Sequence, residues 1–372
     1  MKILLTSLDT PDRCPRLGRL RPWLADHEVD LMVGGGSTRW ERSSDSRFAA
    51  LKRTAWSWGL WPNRPPCFHP VGACAESRYD IVICFDMLLL PDLLEIVEPE
   101  KVIVDAREYY PEQFDTRFKW KYTWGRWYAR VCQEMLPRVR KVVTVSHGLG
   151  GLYKKNFGVD AIVGYSLPDA LNVLPTPIGA SIKLVHHGNT NNNRSLEIMI
   201  EAVGILGPRY SLDLILVPTD LDCFRSLHDL ADRYENVAIL EPVESSELLL
   251  ALTAYDIGLF VPRLVTSNLR FALPNKLFEY IQARLMVIAT QGSEAGDVVS
   301  QLNVGLTSEP SAAGIAQVLN GLSIEQIEKH KRAADLCALS FHSKNYSEQY
   351  REVIEMSYSE NHEGAESVGG GP

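Results

Sequence analysis

The chain has 372 residues, with Lys+Arg 38 against Asp+Glu 46 and a formal net charge of -8. That acidic balance excludes a general nucleic-acid binder, and the lack of any run of about 18 apolar residues excludes a membrane-spanning helix. The length predicts two domains of roughly 150 to 180 residues rather than one core.

The opening Met1-Lys-Ile-Leu-Leu reads as the start of a strand and not as a signal peptide. Seven cysteines are scattered without a C-x-x-C pair, which predicts reduced thiols and a cytoplasmic protein. Short, apolar, β-branched runs then predict strands at Ile3–Leu5, Val29–Val33, Ile81–Phe85, Val102–Asp105 and Val142–Val145, with helical stretches between them. This alternation is the pattern of a parallel, doubly wound sheet. After Phe157 the periodicity fades, and Pro175-Thr-Pro marks a linker over 169–181. The alternation restarts with strand Lys183–His187, helix Leu196–Leu206, strand Leu212–Val217, helix Leu221–Tyr234 and strand Val237–Leu240. Helix Ser245–Thr253, strand Ile257–Val261, a helix after Pro274 and strand Met286–Ala289 complete this sheet. The end is helical from Ile324 to about Met356, followed by a Ser/Gly-rich tail. The predicted organisation is a first domain over 1–168, a second over 182–342, a helix over 343–358 packing back on the first domain, and a disordered tail over 359–372.

Ligands in open α/β sheets bind beyond the carboxyl ends of strands, so the residues that follow strands carry the argument. After Ile257–Val261 comes Leu273-Pro-Asn-Lys-Leu-Phe-Glu-Tyr-Ile-Gln-Ala-Arg-Leu-Met-Val-Ile-Ala-Thr290. Pro274 has the φ of a first helical turn. Asn275, Lys276 and Glu279 then sit near a helix start, where free N–H groups and the dipole favour phosphate. A capped helix with a solvated face is the alternative. After Lys183–His187, Gly188-Asn-Thr-Asn-Asn-Asn-Arg194 can turn tightly and set Arg194 beside a helix start, suited to a diphosphate.

The segment Leu273 to Thr290 resembles the donor-binding signature of the group 1 glycosyltransferases, with Lys276, Glu279, Tyr280, Ala283, Val287 and Thr290 at matching places. Met286 stands where proline is usual. The resemblance implies a GT-B fold: α/β, with two facing Rossmann-like domains, parallel sheets and a cleft between them. It also implies a retaining, metal-independent glycosyltransferase whose partners are a nucleotide sugar and a saccharide or glycoside acceptor, with no separate cofactor. Lys276 would neighbour the donor diphosphate, Glu279 would hold the ribose, and Gly188 and Arg194 would match the family's basic loop. Many relatives carry another glutamate eight residues before the ribose-binding one; here Phe271 occupies that position, so Asn268 in the preceding loop becomes the candidate for the donor sugar.

Val102-Ile-Val-Asp-Ala-Arg-Glu-Tyr-Tyr-Pro111 resembles an acceptor-side D-x-H-E-x-x-P segment, which nominates Asp105 and Glu108 as catalytic-side carboxylates, with Arg107 replacing a histidine. A simple turn-capping role for Asp105 competes. The loop after the first strand nominates Arg13 and Arg16 for phosphate. Ser146 is read as a helix cap, and His147, His186 and His187 as core or loop residues without metal spacing. The stretch 117–141 is basic, with Trp120, Trp124, Trp127 and Tyr128 at helical spacing. Either the aromatics pack inward, or the helix lies peripherally on an anionic membrane at the inner face of the cell, with 39–64 extending that surface. An epimerase acting on a nucleotide sugar and a non-catalytic nucleotide- or partner-binding relative are the alternatives.

Overall fold

The computed structural model describes residues 1–11, 14–34, 38–43, 47–71, 78–114, 116–271, 273–345 and 347–355. They form two compact units: Met1–Tyr165 with the stretch from Tyr346, and Ser166–Asn345.

In the first unit the strands are β1 (Lys2–Thr6), β2 (Glu28–Met32), β3 (Arg39–Arg42), β4 (Phe68–Val71), β5 (Ile81–Cys84), β6 (Val102–Ala106), β7 (Lys141–Thr144) and β8 (Ala161–Val163). Strands β3 and β4 pair antiparallel on their own. The rest form a parallel sheet in the order β2-β1-β5-β6-β7-β8. Its inner strands are apolar because both faces are covered: every residue of β5 and β6 is buried.

The second unit holds β9 (Ile182–Asn189), β10 (Tyr210–Val217), β11 (Val237–Leu240), β12 (Ile257–Phe260), β13 (Met286–Thr290) and β14 (Gly305–Ser308), all parallel, in the order β11-β10-β9-β12-β13-β14. The chain winds outward from β9 in one direction and from β12 in the other, so the switch point lies between them. These two strands share only the pairs Ile257↔Leu184 and Gly258↔Val185. Beyond that register the ladder gives way to a side chain, His186, whose Nδ1 donates to the carbonyl of Leu259 at 2.8 Å. Glycine at 258 lets Tyr280 pack flat on the strand, since a Cβ there would lie 2.4 Å from the ring.

Several elements differ from expectation. Strands β3, β4, β8 and β14 and the helices Glu294–Gln301 and Ala312–Asn320 were not predicted; the strands are only three or four residues long, too short for periodicity to register, and β3 and β14 are polar besides. Pro274 is an extended N-cap outside its helix, Asn275–Gln282. The long terminal helix stops at Ala338, and the chain is helical again at 343–345 and 347–355. Met356 and the tail lie outside the described residues. Of the two readings of the aromatic stripe, inward packing holds for Trp127 and Tyr128, which are buried, as are Trp40 and Trp56 in the stretch 39–64, while Lys119, Lys121 and Arg126 stay exposed. No helix among the described residues is long and apolar enough to cross a membrane.

Candidate functional site

The penultimate residue of strand β9 is Gly188, whose φ of 131° lies in the region open to glycine. A second constraint acts there: a Cβ on Gly188 would lie 3.1 Å from the Lys276 ammonium. The loop that follows is set by short-range bonds. The Asn191 side chain accepts from the Asn193 amide at 2.7 Å, and Asn192–Arg194 make one tight turn. Ser195 is held in the left-handed region, with φ 53°, and its Oγ accepts from the Arg263 amide at 3.2 Å. Such backbone strain in a non-glycine residue persists only where the surroundings enforce it. The result is a fixed Arg194 at the carboxyl end of β9.

Lys276 reaches the same place from the other side of the switch point. It is the second residue of the helix Asn275–Gln282, whose N-cap Pro274 has no side chain able to cap. Its Nζ lies 5.7 Å from the ring centroid of Phe260, the last residue of β12. Burial of the ammonium and the nearby Arg194 charge hold Lys276 down to about 7, with Glu279 pulling the other way. Although Lys276 keeps part of its surface exposed, its charged end is enclosed between Gly188 and Phe260. The Arg194 charge is thus near enough to Lys276 for the two to repel each other.

Glu279, one turn on, is buried, with Oε2 3.3 Å from His187 Nε2. Burial, followed by the charges of Lys276 and His186, keeps His187 neutral, well below the usual histidine range. The contact is therefore a neutral ring against a carboxylate, out of line for a hydrogen bond, as Nε2 has no hydrogen-bond partner. The same burial lowers His186 to about 3. Both histidines are core residues, as their sequence context suggested, yet His187 also lines the site. The signal for that was its place directly before Gly188. Asn275 opens the helix, and Asn268 lies on the short helix Ser267–Phe271 after β12. The structure thus brings Gly188, Arg194, Lys276 and Glu279 together across β9 and β12.

In the first unit the predicted residues behave differently. Asp105 is fully buried, and its Oδ2 accepts from Arg16 Nε at 2.7 Å and from the Tyr350 hydroxyl at 2.9 Å. Arg16 also donates to the Gly164 carbonyl at 2.9 Å. Two residues nominated for separate ligand roles are thus a buried ion pair. Glu108 is partly exposed, and its carbonyl receives the Tyr153 hydroxyl at 2.7 Å. Ser146 caps the helix His147–Phe157, as expected. Arg13 lies outside the described residues. Asp86, just after β5, was missed: it accepts from Ser7 Oγ at 2.8 Å, the Leu8 amide at 2.7 Å and Arg107 at 3.0 Å. An acid ending an apolar strand was the available clue.

No protein-family model and no curated protein matches the sequence. The fold has solved counterparts. A sucrose-phosphate synthase from Thermosynechococcus elongatus aligns with a TM-score of 0.72 at 12% identity, over 96% of this chain and 99% of that one. The Anabaena protein HepE, solved in complex with UDP and glucose, aligns at 0.68 and 13% identity, over 96% and 100%. A glycosyltransferase from Rickettsia africae gives 0.67 at 13%, over 96% and 98%. The chain therefore has the GT-B fold, with a Rossmann-like parallel sheet in each unit.

Proposed function

We propose that this protein is a glycosyltransferase that moves a sugar from a nucleotide diphosphate sugar to a hydroxyl of a saccharide, a lipid-linked saccharide or a small glycoside. The observation that carries this reading is the pair Arg194 and Lys276 converging at the switch point beside Glu279. A diphosphate between the cations relieves their repulsion, and Glu279 accepts from ribose hydroxyls. HepE, of the same fold, holds UDP and glucose in its own structure. As the bond from the anomeric carbon to the diphosphate oxygen breaks, its electron pair moves to that oxygen. Arg194, Lys276 and the helix start stabilise the growing charge. The acceptor oxygen bonds to the same face and passes its proton to a diphosphate oxygen, giving retention without a protein nucleophile or a metal. Asn268 is assigned to the donor sugar, where Phe271 offers no acceptor. An epimerase would need further acid/base groups, and Asp105 is committed to Arg16. Phe271 favours the alternative of a relative that binds a nucleotide without turning it over, and release of nucleoside diphosphate in the presence of an acceptor panel separates the two.

Glu279→Ala is expected to weaken binding of the cognate nucleoside diphosphate by roughly ten- to a hundredfold, the loss of a hydrogen bond to a charged group. Calorimetric titration with a panel of nucleoside diphosphates measures it; parent-like affinity would remove the ribose role.

Affinity should also depend on pH. In the free protein Lys276 titrates near 7, and a bound diphosphate raises it. Above that pH, binding must take up a proton, so affinity falls by up to about tenfold per pH unit towards the bound-state value. Below it the lysine is already charged and the dependence on this group vanishes. Calorimetry in buffers of different ionisation enthalpy should show proton uptake at pH 8 that Lys276→Met abolishes; uptake unchanged in that variant would assign the proton elsewhere.

A further inference from the structure

We propose that the first unit carries a docking surface for an anionic phospholipid bilayer, built from the helix Arg47–Ser57 with the turn after it and from the π-bulged helix over 118–135. Four observations converge on it. The first is charge. The chain is acidic overall, yet 47–64 and 116–133 contain no Asp or Glu; Arg64 and Arg130 there are paired with Asp92 and Glu134, and the other cations of the two stretches are Arg47, Lys52, Arg53, Arg117, Lys119, Lys121 and Arg126.

The second is the apolar groups that reach solvent. They are not Trp127 and Tyr128, which the helical spacing had nominated, but a different set: Phe118 is 79% exposed, Leu60 78%, and Trp58 and Tyr122 44% each. The rings of Trp58 and Tyr122 stack at 4° with centroids 6.4 Å apart, and Phe118 lies 4.7 Å from Tyr122. The Trp58 indole also donates to the Tyr122 carbonyl at 3.2 Å, joining the two segments. Tyr122 and Trp127 lie on opposite sides of the helix over 118–135, Tyr122 exposed and Trp127 buried.

Third, cations stand over these rings: Arg126 at 4.3 Å from Trp58 and Lys52 at 5.1 Å from Trp61. Amphipathic aromatics with cations beside them suit the headgroup depth of a bilayer. Fourth, a cavity of about 240 Å³ opens beside them, lined by Arg53, Thr54, Lys119, Thr123, Trp124 and Trp127 together with Ala50. It offers the cations Arg53 and Lys119 to one phosphate headgroup. A protein partner would have to supply carboxylates and an apolar groove in register, whereas a bilayer supplies phosphates and acyl chains at every position.

The surface lies in the first unit and is independent of the nucleotide site proposed in the second. The test is co-sedimentation of the full chain with vesicles of phosphatidylcholine alone or with about one-third phosphatidylglycerol, at low and high salt. Binding is expected only with the anionic lipid, and it should weaken with salt. The combined K52Q, K119Q, K121Q and R126Q changes should lower it by roughly a hundredfold or more. Phe118→Ser should lower it about tenfold with the salt slope kept. Nucleoside diphosphate binding and near-UV dichroism of both variants should match the parent, because the changed side chains sit at the surface. Absence of vesicle binding at low salt overturns the proposal, as does undiminished binding of the fourfold variant. Retention on immobilised polyglutamate without vesicle binding overturns it in favour of an acidic protein partner.

Discussion

Lys276→Ala is expected to lower kcat by about 100- to 1000-fold, the usual effect of losing one preorganised group that meets developing charge. Arg194→Ala should fall in the same range. Each substitution should alter the affinity for the nucleoside alone far less, because the charge both residues meet lies on the leaving diphosphate. Their closeness, visible in how Arg194 depresses Lys276, makes the pair interdependent. Removing Arg194 lets Lys276 hold its proton more firmly, which compensates part of the loss. The double variant should therefore lose less than the product of the single losses. Steady-state kinetics on the four proteins decides it. Strictly multiplicative losses would mean that the two cations serve separate groups.

Asp105→Ala should destabilise the first unit by about 3–5 kcal/mol, the consequence of stripping the partner from a buried charge. Arg16 keeps only 4% of its side chain exposed and Asp105 none, so water cannot replace the lost carboxylate. The Tyr350 hydroxyl would lose its acceptor as well. All eight tryptophans lie between Trp23 and Trp127, so tryptophan fluorescence reads this unit alone during urea unfolding. The double change Arg16→Met with Asp105→Leu should recover most of the loss, since it removes both charges together. A shift below about 1 kcal/mol for Asp105→Ala would show that the pair holds little of the unit together.

What the sequence made legible follows from how each feature is encoded. Parallel strands such as Val237–Leu240 and Ile257–Phe260 are buried on both faces, so their apolar runs stand out locally. Strand Gly305–Ser308 carries two polar residues in four and passes unnoticed, although the helices around it are announced by Ser293 and Ser311, which cap them. Gly188, Arg194 and Lys276 were legible as candidates because each stands at or beside a strand or helix end, and Glu279 because it lies one turn on in the segment that resembles the donor-binding signature. The Arg16–Asp105 pair could not be read, because nothing in either segment reveals a partner 89 positions away. The aromatic stripe packs inward at Trp127 and Tyr128, as one of its two readings had it, whereas the exposed Phe118 and Tyr122 lie on the opposite face, where spacing alone does not say whether an aromatic is covered.

The hydrogen bond between Tyr350 and Asp105 spans 245 positions, and the second unit lies wholly inside that interval. During synthesis the chain emerges from its amino end. The second unit therefore has its full sequence available once Asn345 is free, whereas the first still lacks Tyr350. Order of emergence and order of completion are reversed. The unit that starts first waits, with a buried carboxylate short of one partner, until the other has been made.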